Sequence, residues 1–217
     1  LKIVCITDIH AEYKVVEDIL RAETPDVFIL GGDLTNVGSV REAEHALETF
    51  RPLAKHTLCL AGNMDLPQHD ELFEHLGVSI NGRGVVIEDV GFFGVSSAPV
   101  SRLRTPYEIT EEEIAKRIES GYAAVRNARV KIFVPHAPPY GTKVDIIHMG
   151  YHVGSTAVRD FVEEHQPDLL LCGHIHEARG EDMIEKTKIV NCGPGKDGSY
   201  AVVEVGKTIS IELRRKK

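Results

Sequence analysis

The segment Lys2-Ile3-Val4-Cys5-Ile6-Thr7-Asp8-Ile9-His10 is an apolar run that ends on two side chains able to bind a metal, spaced two apart. In an extended segment residues i and i+2 point to the same side, so Asp8 and His10 can converge on one point. The residues that follow decide the fold. Tyr13, Val16, Ile19 and Leu20 recur at helical spacing, and Pro25 marks the exit. Asp26 to Leu30 is apolar again and runs into Gly31-Gly32-Asp33. Ser39 with Glu42 predicts a capping box, backed by a stripe of Val40, Ala43, Leu47 and Phe50. His56 to Ala61 is the next strand. Strand, helix, strand, helix, strand implies right-handed crossovers and a parallel sheet.

Further along, the pattern changes and then returns. Val78–Ile80, Val85–Ile87 and Phe92–Val95 are short apolar runs that predict antiparallel hairpins. Ser96 to Tyr107 reads as loop. Thr110 with Glu113 predicts a second capping box, ahead of Ile114, Ile118, Tyr122 and Val125. Val130–Val134 is a strand, and a long polar loop follows from His136 to Gly154. A helix stripe of Val158, Phe161, Val162 and His165 ends at Pro167. Asp168–Cys172 and Lys188–Asn191 are strands. Tyr200–Val205 and Thr208–Leu213 form a final hairpin through Gly206-Lys207, a pair suited to a type II′ turn, and Arg214 to Lys217 reads as a solvated tail. The expectation is an α/β fold in one domain spanning residues 1–217.

Composition narrows the function. The 217 residues suffice for a substantial core, and 42% hydrophobic with 27% charged residues is ordinary for a globular chain. A formal net charge of -8 argues against an extended nucleic-acid surface, although a local site can still hold a small phosphorylated substrate. No run of about 18 apolar residues occurs, so neither a membrane span nor a membrane partner is expected. Leu1–Ile6 lacks the basic region and cleavage site of a signal peptide and reads as a strand. Cys5, Cys59, Cys172 and Cys192 stand singly, which predicts buried thiols and a cytoplasmic setting. An exposed apolar strand edge would favour a homodimer.

The chemistry lies in where the polar residues fall. Asp8 and His10 follow the first strand, Asp33 the second, Asn63 the third, His136 a later one, and His174 with His176 another. Open α/β sheets gather ligands outside the carboxyl ends of their strands, so five strand ends deliver potential ligands to one rim. Imidazole mixed with oxygen donors suits Mn²⁺, Fe²⁺, Ni²⁺ or Zn²⁺ better than Ca²⁺. No cysteine adjoins these positions, which argues against a structural zinc site.

These motifs, Asp8-Ile-His10, Gly31-Gly32-Asp33, Gly62-Asn63-Met64-Asp65, Pro135-His136 and Gly173-His174-Ile175-His176, resemble the five motifs of calcineurin-like metallophosphoesterases. The resemblance runs from residue 8 to the Asn191-Cys192-Gly193-Pro194 turn and points to the small members without a cap domain. It implies a four-layer αββα sandwich of two mixed β-sheets and a dinuclear centre. Asp8, His10 and His176 would hold one ion, Asn63, His136 and His174 the other, and Asp33 would bridge them. Mn²⁺ is the first expectation for the pair, and a small phosphoester, with nucleotides among the candidates, is the expected substrate. A hydroxide between the ions would attack phosphorus in line.

One position departs from the family. Met64 stands where relatives most often carry a histidine that stabilises the transition state or protonates the leaving group. A thioether does neither. That favours a phosphodiesterase, with stable leaving groups, over a phosphomonoesterase. No residue is assigned here as general acid. His152, between Gly150 and Gly154, is the expected phosphate contact, ahead of Tyr140 and His148 in the same loop. Asp65 is expected either to support the metal site or to cap the turn at Leu66-Pro67, and Asn191 either to touch substrate or to shape its turn. His45, His56, His69, His75 and His165 are read as surface or core-edge residues. The alternative function is a metal-binding scaffold of the same fold. A metallo-β-lactamase-type enzyme would need an H-x-H-x-D-H cluster, which is absent.

Overall fold

The computed structural model describes residues 1–216. The chain runs β1 (Lys2–Ile6), α1 (Tyr13–Glu23), β2 (Val27–Gly31), α2 (Val40–Phe50), β3 (His56–Leu60), α3 (Pro67–His75), β4 (Gly84–Ile87), β5 (Val90–Val95), β6 (Ala98–Pro99), β7 (Glu108–Ile109), α4 (Glu111–Val125) and β8 (Val130–Pro135). It continues through α5 (Thr156–His165), β9 (Leu169–Cys172), β10 (Gly180–Ile184), β11 (Thr187–Asn191), β12 (Ser199–Val205) and β13 (Ile209–Arg215).

Strand alternation separates three layers of core. Val4, Ile6, Phe28, Leu30 and Cys59 face one way, under α1, α2 and α3. Ile3, Cys5, Val27, Ile29, Leu58 and Leu60 face the other, against Phe92, Ile132, Val134, Leu169 and Leu171 of a second sheet. The outer face of that second sheet, with Phe93, Phe133 and Leu170, is covered by Ile114, Ile118, Phe161 and Val162 of α4 and α5. The first sheet has the order β13-β12-β1-β2-β3 and the second β10-β11-β9-β8-β5-β4. Both mix parallel and antiparallel pairs. This is the expected four-layer αββα sandwich. Strands covered on both faces explain why the first segments read as nearly unbroken apolar runs.

The helix starts follow local chemistry. Ser39 Oγ accepts from Glu42 N at 3.2 Å, and Thr110 Oγ1 from Glu113 N at 3.3 Å. Each expected capping box is formed in its serine or threonine half only. The Glu42 carboxylate instead accepts from the Tyr13 hydroxyl, at 2.7 Å, and joins α2 to the start of α1.

Several expectations need correction. Val78–Ile80 is not a hairpin strand: it makes isolated parallel bridges that link Cys59 to Ser79 and Asn81 to Gly94, and so stitches the two sheets together. The hairpin loop between β12 and β13 spans three residues, because Val205 pairs with Ile209, and Gly206 does not take the positive φ of a type II′ turn. The stretch read as loop at 96–107 contains β6, which pairs with β7. The tail is not wholly solvated, since β13 extends to Arg215 and Arg214 forms a two-pronged pair with Glu23 at 2.8 and 2.9 Å. Helix α3 and strand β10 were not expected. All four cysteines are buried and free, as predicted. Among the described residues no helix is long and apolar enough to cross a membrane.

Candidate metal centre

Each of the seven expected ligands follows the carboxyl end of a strand, and the structure brings all seven to one cleft. Asp8, His10 and His176 offer donor atoms that lie within 4.8 Å of one another, as do Asp8, Asp33 and His136. His10 Nε2 is 3.3 Å from His176 Nε2 and 3.7 Å from Asp33 Oδ2. On the other side, Asn63 Oδ1 is 2.7 Å from His174 Nδ1 and 3.1 Å from His136 Nε2. Asp33 Oδ2 lies 3.5 Å from His136 Nε2, so this carboxylate faces both groups.

The donor chemistry fits cations. His136 Nδ1 is 2.9 Å from the Gly31 carbonyl, which can only accept, so Nδ1 carries a proton and Nε2 is turned to the cluster. Nε2 faces the oxygens of Asn63 and Asp33 at 3.1 and 3.5 Å. This buried set of oxygens calls for a positive charge, which a second proton on His136 or a bound cation supplies. A ring nitrogen held by a backbone carbonyl is the usual outer support of a metal-binding histidine.

The backbone is bent to make this cluster. Asp8, His10, Asp33 and His174 all take left-handed conformations, with φ of 55°, 47°, 52° and 67°. Aspartate and histidine tolerate this region better than most residues, at a cost on the order of 1–3 kcal/mol each. Tight glycine contacts accompany the bends. A Cβ on Gly62 would collide with the Asp33 carboxylate, and one on Gly173 with that of Asp8.

Charge sets the protonation of the donors. Burial works against ionisation of Asp8, but the hydrogen bond from His176 and the neighbouring imidazoles hold it well below the ordinary carboxylate range. Burial lowers His174 to about 3, with His136 acting in the same direction, so its imidazole is neutral. Burial also lowers His136, but the carboxylates of Asp33 and Asp8 outweigh it and raise that residue to about 9.

The supporting residues are resolved as well. Asp65 is fully buried and accepts from Leu34 N, Thr35 N, Thr35 Oγ1 and Gly62 N, at 2.8 to 3.1 Å. It ties the loop after β2 to the loop after β3. The backbone N–H of Leu66 is taken by His69 Nδ1, so Asp65 is not the cap of that turn. His69 is completely buried, contrary to the surface or core-edge expectation. Asn191 is also buried. Its amide donates to the carbonyls of Val144, Gly173 and Ile175, and its Oδ1 accepts from Gly193 N. Its polar atoms are thus engaged in shaping the turn, the second of its two expected roles. His152 lies outside the ligand cluster, exposed, with Nδ1 2.6 Å from the buried Asp145 carboxylate.

Lys196 was missed by sequence reading. Its backbone N–H donates to the Asp8 carbonyl at 3.1 Å, while Gly195 N donates to Thr7 O at 2.8 Å. The turn is thereby fixed alongside the end of β1. Its charge reaches both His10 and His176, where it opposes protonation. The Gly-Pro-Gly-Lys turn at 193–196 was the available signal, read only as a turn.

The family model for calcineurin-like phosphoesterases matches residues 1–178. The protein MJ1162 of Methanocaldococcus jannaschii is 31% identical over 215 residues, covering 97% of this chain and 95% of that protein. The UPF0046 protein K07C11.7 of Caenorhabditis elegans is 28% identical, over 92% of this chain and 71% of its own. Among solved structures, TT1561 of Thermus thermophilus superposes with a TM-score of 0.77 at 17% identity, covering 99% and 98% of the two chains. A novel archaeal phosphodiesterase superposes with a TM-score of 0.55 at 15% identity, covering 99% and 100%. The matched model spans every one of the seven candidate ligands, and the chain belongs to the calcineurin-like phosphoesterase family.

Proposed function

We propose that this chain is a dinuclear-metal phosphodiesterase, with Asp8, His10 and His176 on one ion, Asn63, His136 and His174 on the other, and Asp33 shared. The observation that carries the reading is the convergence of four imidazoles, the Asp8 and Asp33 carboxylates and the Asn63 amide oxygen around Asp33. Mn²⁺ is our first assignment, and Fe²⁺, Ni²⁺ or Zn²⁺ accept the same donors. Divalent cations bound there would supply Lewis acidity toward phosphoryl oxygens and toward water. The strained ligand backbones support catalysis over a scaffold role, since a binding surface has no use for them.

The chain's own residues position and discriminate. Asp33 Oδ1 is held by the backbone N–H of Met64 at 2.7 Å, which leaves Oδ2 directed at the two histidine groups. Met64 offers no proton to a departing oxygen. The reading therefore favours diesters and aryl esters, whose leaving groups are stable as anions. Lys196 supplies a positive charge beside His10 and His176, and among the described residues no carboxylate lies within 4 Å of its ammonium group. We assign it to the substrate phosphate. His152 is a second phosphate contact in this reading: Asp145 holds Nδ1, which leaves Nε2 free to donate or accept. The archaeal phosphodiesterase of the same fold is consistent with this class of substrate. A small phosphoester, with nucleotides among the candidates, fits such a site.

The test is hydrolysis of an aryl phosphodiester with and without Mn²⁺, by the native chain and by Asp33→Ala, His174→Ala and Lys196→Met. The two ligand variants should lose activity by at least a hundredfold. Lys196→Met should mainly raise KM. Activity that survives both ligand substitutions would remove the proposed site.

A further inference from the structure

We propose that the rim of the metal cleft is a docking surface for an anionic phospholipid bilayer, with Leu103 as its inserting tip. The inference deepens the phosphodiesterase reading by naming where its substrate is presented. It revises the expectation of no membrane partner, which rested on the lack of a spanning segment, because the contact proposed is peripheral.

The observation is a loop ordered in order to expose an apolar residue. Glu108 gathers the turn at 101–105: its carboxylate accepts from Ser101 N, Ser101 Oγ, Thr105 N and Thr105 Oγ1, at 2.8 to 2.9 Å. Between those anchors Leu103 is 84% exposed, with Arg102 and Arg104 on either side. Arg104 takes a left-handed φ of 53° to complete the turn. Among the described residues neither arginine has a carboxylate within 4 Å. A single exposed leucine needs no explanation, but one held out by four hydrogen bonds between two unpaired arginines does.

The apex sits beside the centre. The loop leaves and returns next to Asn63, since Ser97 N donates to Ala61 O and Tyr107 N to Asn63 O. A second loop with exposed apolar residues lies next to His176. His148 N donates to Glu177, the residue after His176, and the tip there exposes Met149 and Tyr151. The two loops follow β5 and β8, which are parallel neighbours, so both leave the same end of the sheet. Of nine exposed large hydrophobic residues among those described, six belong to these two loops.

The occupant follows from chemistry. A protein partner needs a contiguous patch, on the order of 800 Å² per side with an apolar centre. Here the exposed apolar residues stand on two separate loops that leave the same end of the sheet, one bonded next to Asn63 and the other next to His176. A bilayer needs only that they point the same way, and it offers phosphates to the guanidinium groups. It also brings phosphodiesters to the cleft, whereas a protein seated on both loops would cover it.

The test is co-sedimentation with vesicles of phosphatidylcholine alone and of phosphatidylcholine mixed with phosphatidylglycerol, at low ionic strength. The native chain should bind the mixed vesicles selectively. Leu103→Ser should weaken binding by about tenfold or more, and Arg102→Gln and Arg104→Gln by about fivefold each. Because these side chains are exposed, thermal unfolding of the three variants should match the native chain. Asp33→Ala should bind vesicles normally, so a failure of the hydrolase reading and a failure of this one are distinguishable. Absence of binding by the native chain would overturn the proposal, as would binding indifferent to Leu103→Ser. A concentration-dependent dimer dissolved by Leu103→Ser would do so too, by making the tip a protein contact.

Discussion

Met64 meets Asp33 through its backbone: the Met64 N–H donates to Asp33 Oδ1 at 2.7 Å. The position where the family resemblance implies an acid therefore keeps one job, orienting the Asp33 carboxylate, whatever its side chain. Met64→His should then leave the centre intact and add a proton donor. Hydrolysis of esters with poor leaving groups should rise by tenfold or more, toward the factor of about 10²–10⁴ that a fully positioned general acid supplies. Esters with good leaving groups should change little. A rate series over leaving groups of graded pKa decides it, and an equal gain for all of them would contradict the role assigned to Met64.

Asp65 illustrates the support beneath that arrangement. It accepts four hydrogen bonds in a fully buried place, three from the loop that carries Asp33 and one from the Asn63 loop. Asp65→Ala strands three buried backbone donors, each worth about 1–3 kcal/mol when unsatisfied. Denaturant unfolding should show a loss of roughly 3 kcal/mol or more. Metal affinity, followed by calorimetric titration with Mn²⁺, should fall by about 10–100-fold.

Most of the fold and all of the candidate ligands could be read from the chain, and the reasons are local. The runs before Asp8, Asp33, Asn63, His136 and His174 are apolar on both faces and stop abruptly at polar residues, so each strand end marks itself. The start of α3 was hidden because its N-cap position is Leu66, with Pro67 following and the capping acceptor supplied by His69 from inside the helix. Val78–Ile80 has the composition of a strand, but it lies between two sheets and bonds to each by single bridges, an arrangement decided by tertiary packing. Lys196 escaped for a different reason. Its position beside Asp8 depends on the Gly195 and Lys196 amides closing onto β1, a contact nearly two hundred residues away in sequence.

The joint between the two chain ends gives a pH dependence that is independent of metal. Burial opposes ionisation of Glu23, but Lys2, Tyr200 and Arg214 outweigh it and lower its pKa from 4.5 to about 2. A depressed folded-state value stabilises the chain above the unfolded value, and that stability disappears as pH falls from about 4.5 through about 2. Lys2 and Arg214 are partly solvated, so the contribution should be on the order of 1–2 kcal/mol. Glu23→Gln should therefore be less stable than the native chain at neutral pH, with the difference shrinking across that window. Thermal melts at a series of pH values measure it. A constant difference at all pH values would mean that packing, not charge, holds Glu23.

Gly62 tests whether the centre tolerates any slack. Its missing side chain leaves room for the Asp33 carboxylate and for the Asp33 backbone nitrogen, both of which an added Cβ would strike. Gly62 N also donates to Asp65 at 3.0 Å, so the loop cannot retreat without breaking that bond. Gly62→Ala should displace Asp33 from between the two histidine groups while the sandwich cores stay packed, since no core residue lies among the nearest atoms struck. Mn²⁺ binding should weaken by tenfold or more, and phosphodiester hydrolysis should fall in parallel, as expected when a positioned group moves by about 1 Å. Far-UV circular dichroism and the cooperativity of unfolding should remain native. Gly77, where a Cβ would meet nothing within 4 Å, supplies the control, although its φ of +69° predicts a modest loss of stability on substitution. Gly77→Ala should leave metal affinity unchanged. Equal metal affinity in both alanine variants would show that Asp33 has freedom the structure does not give it.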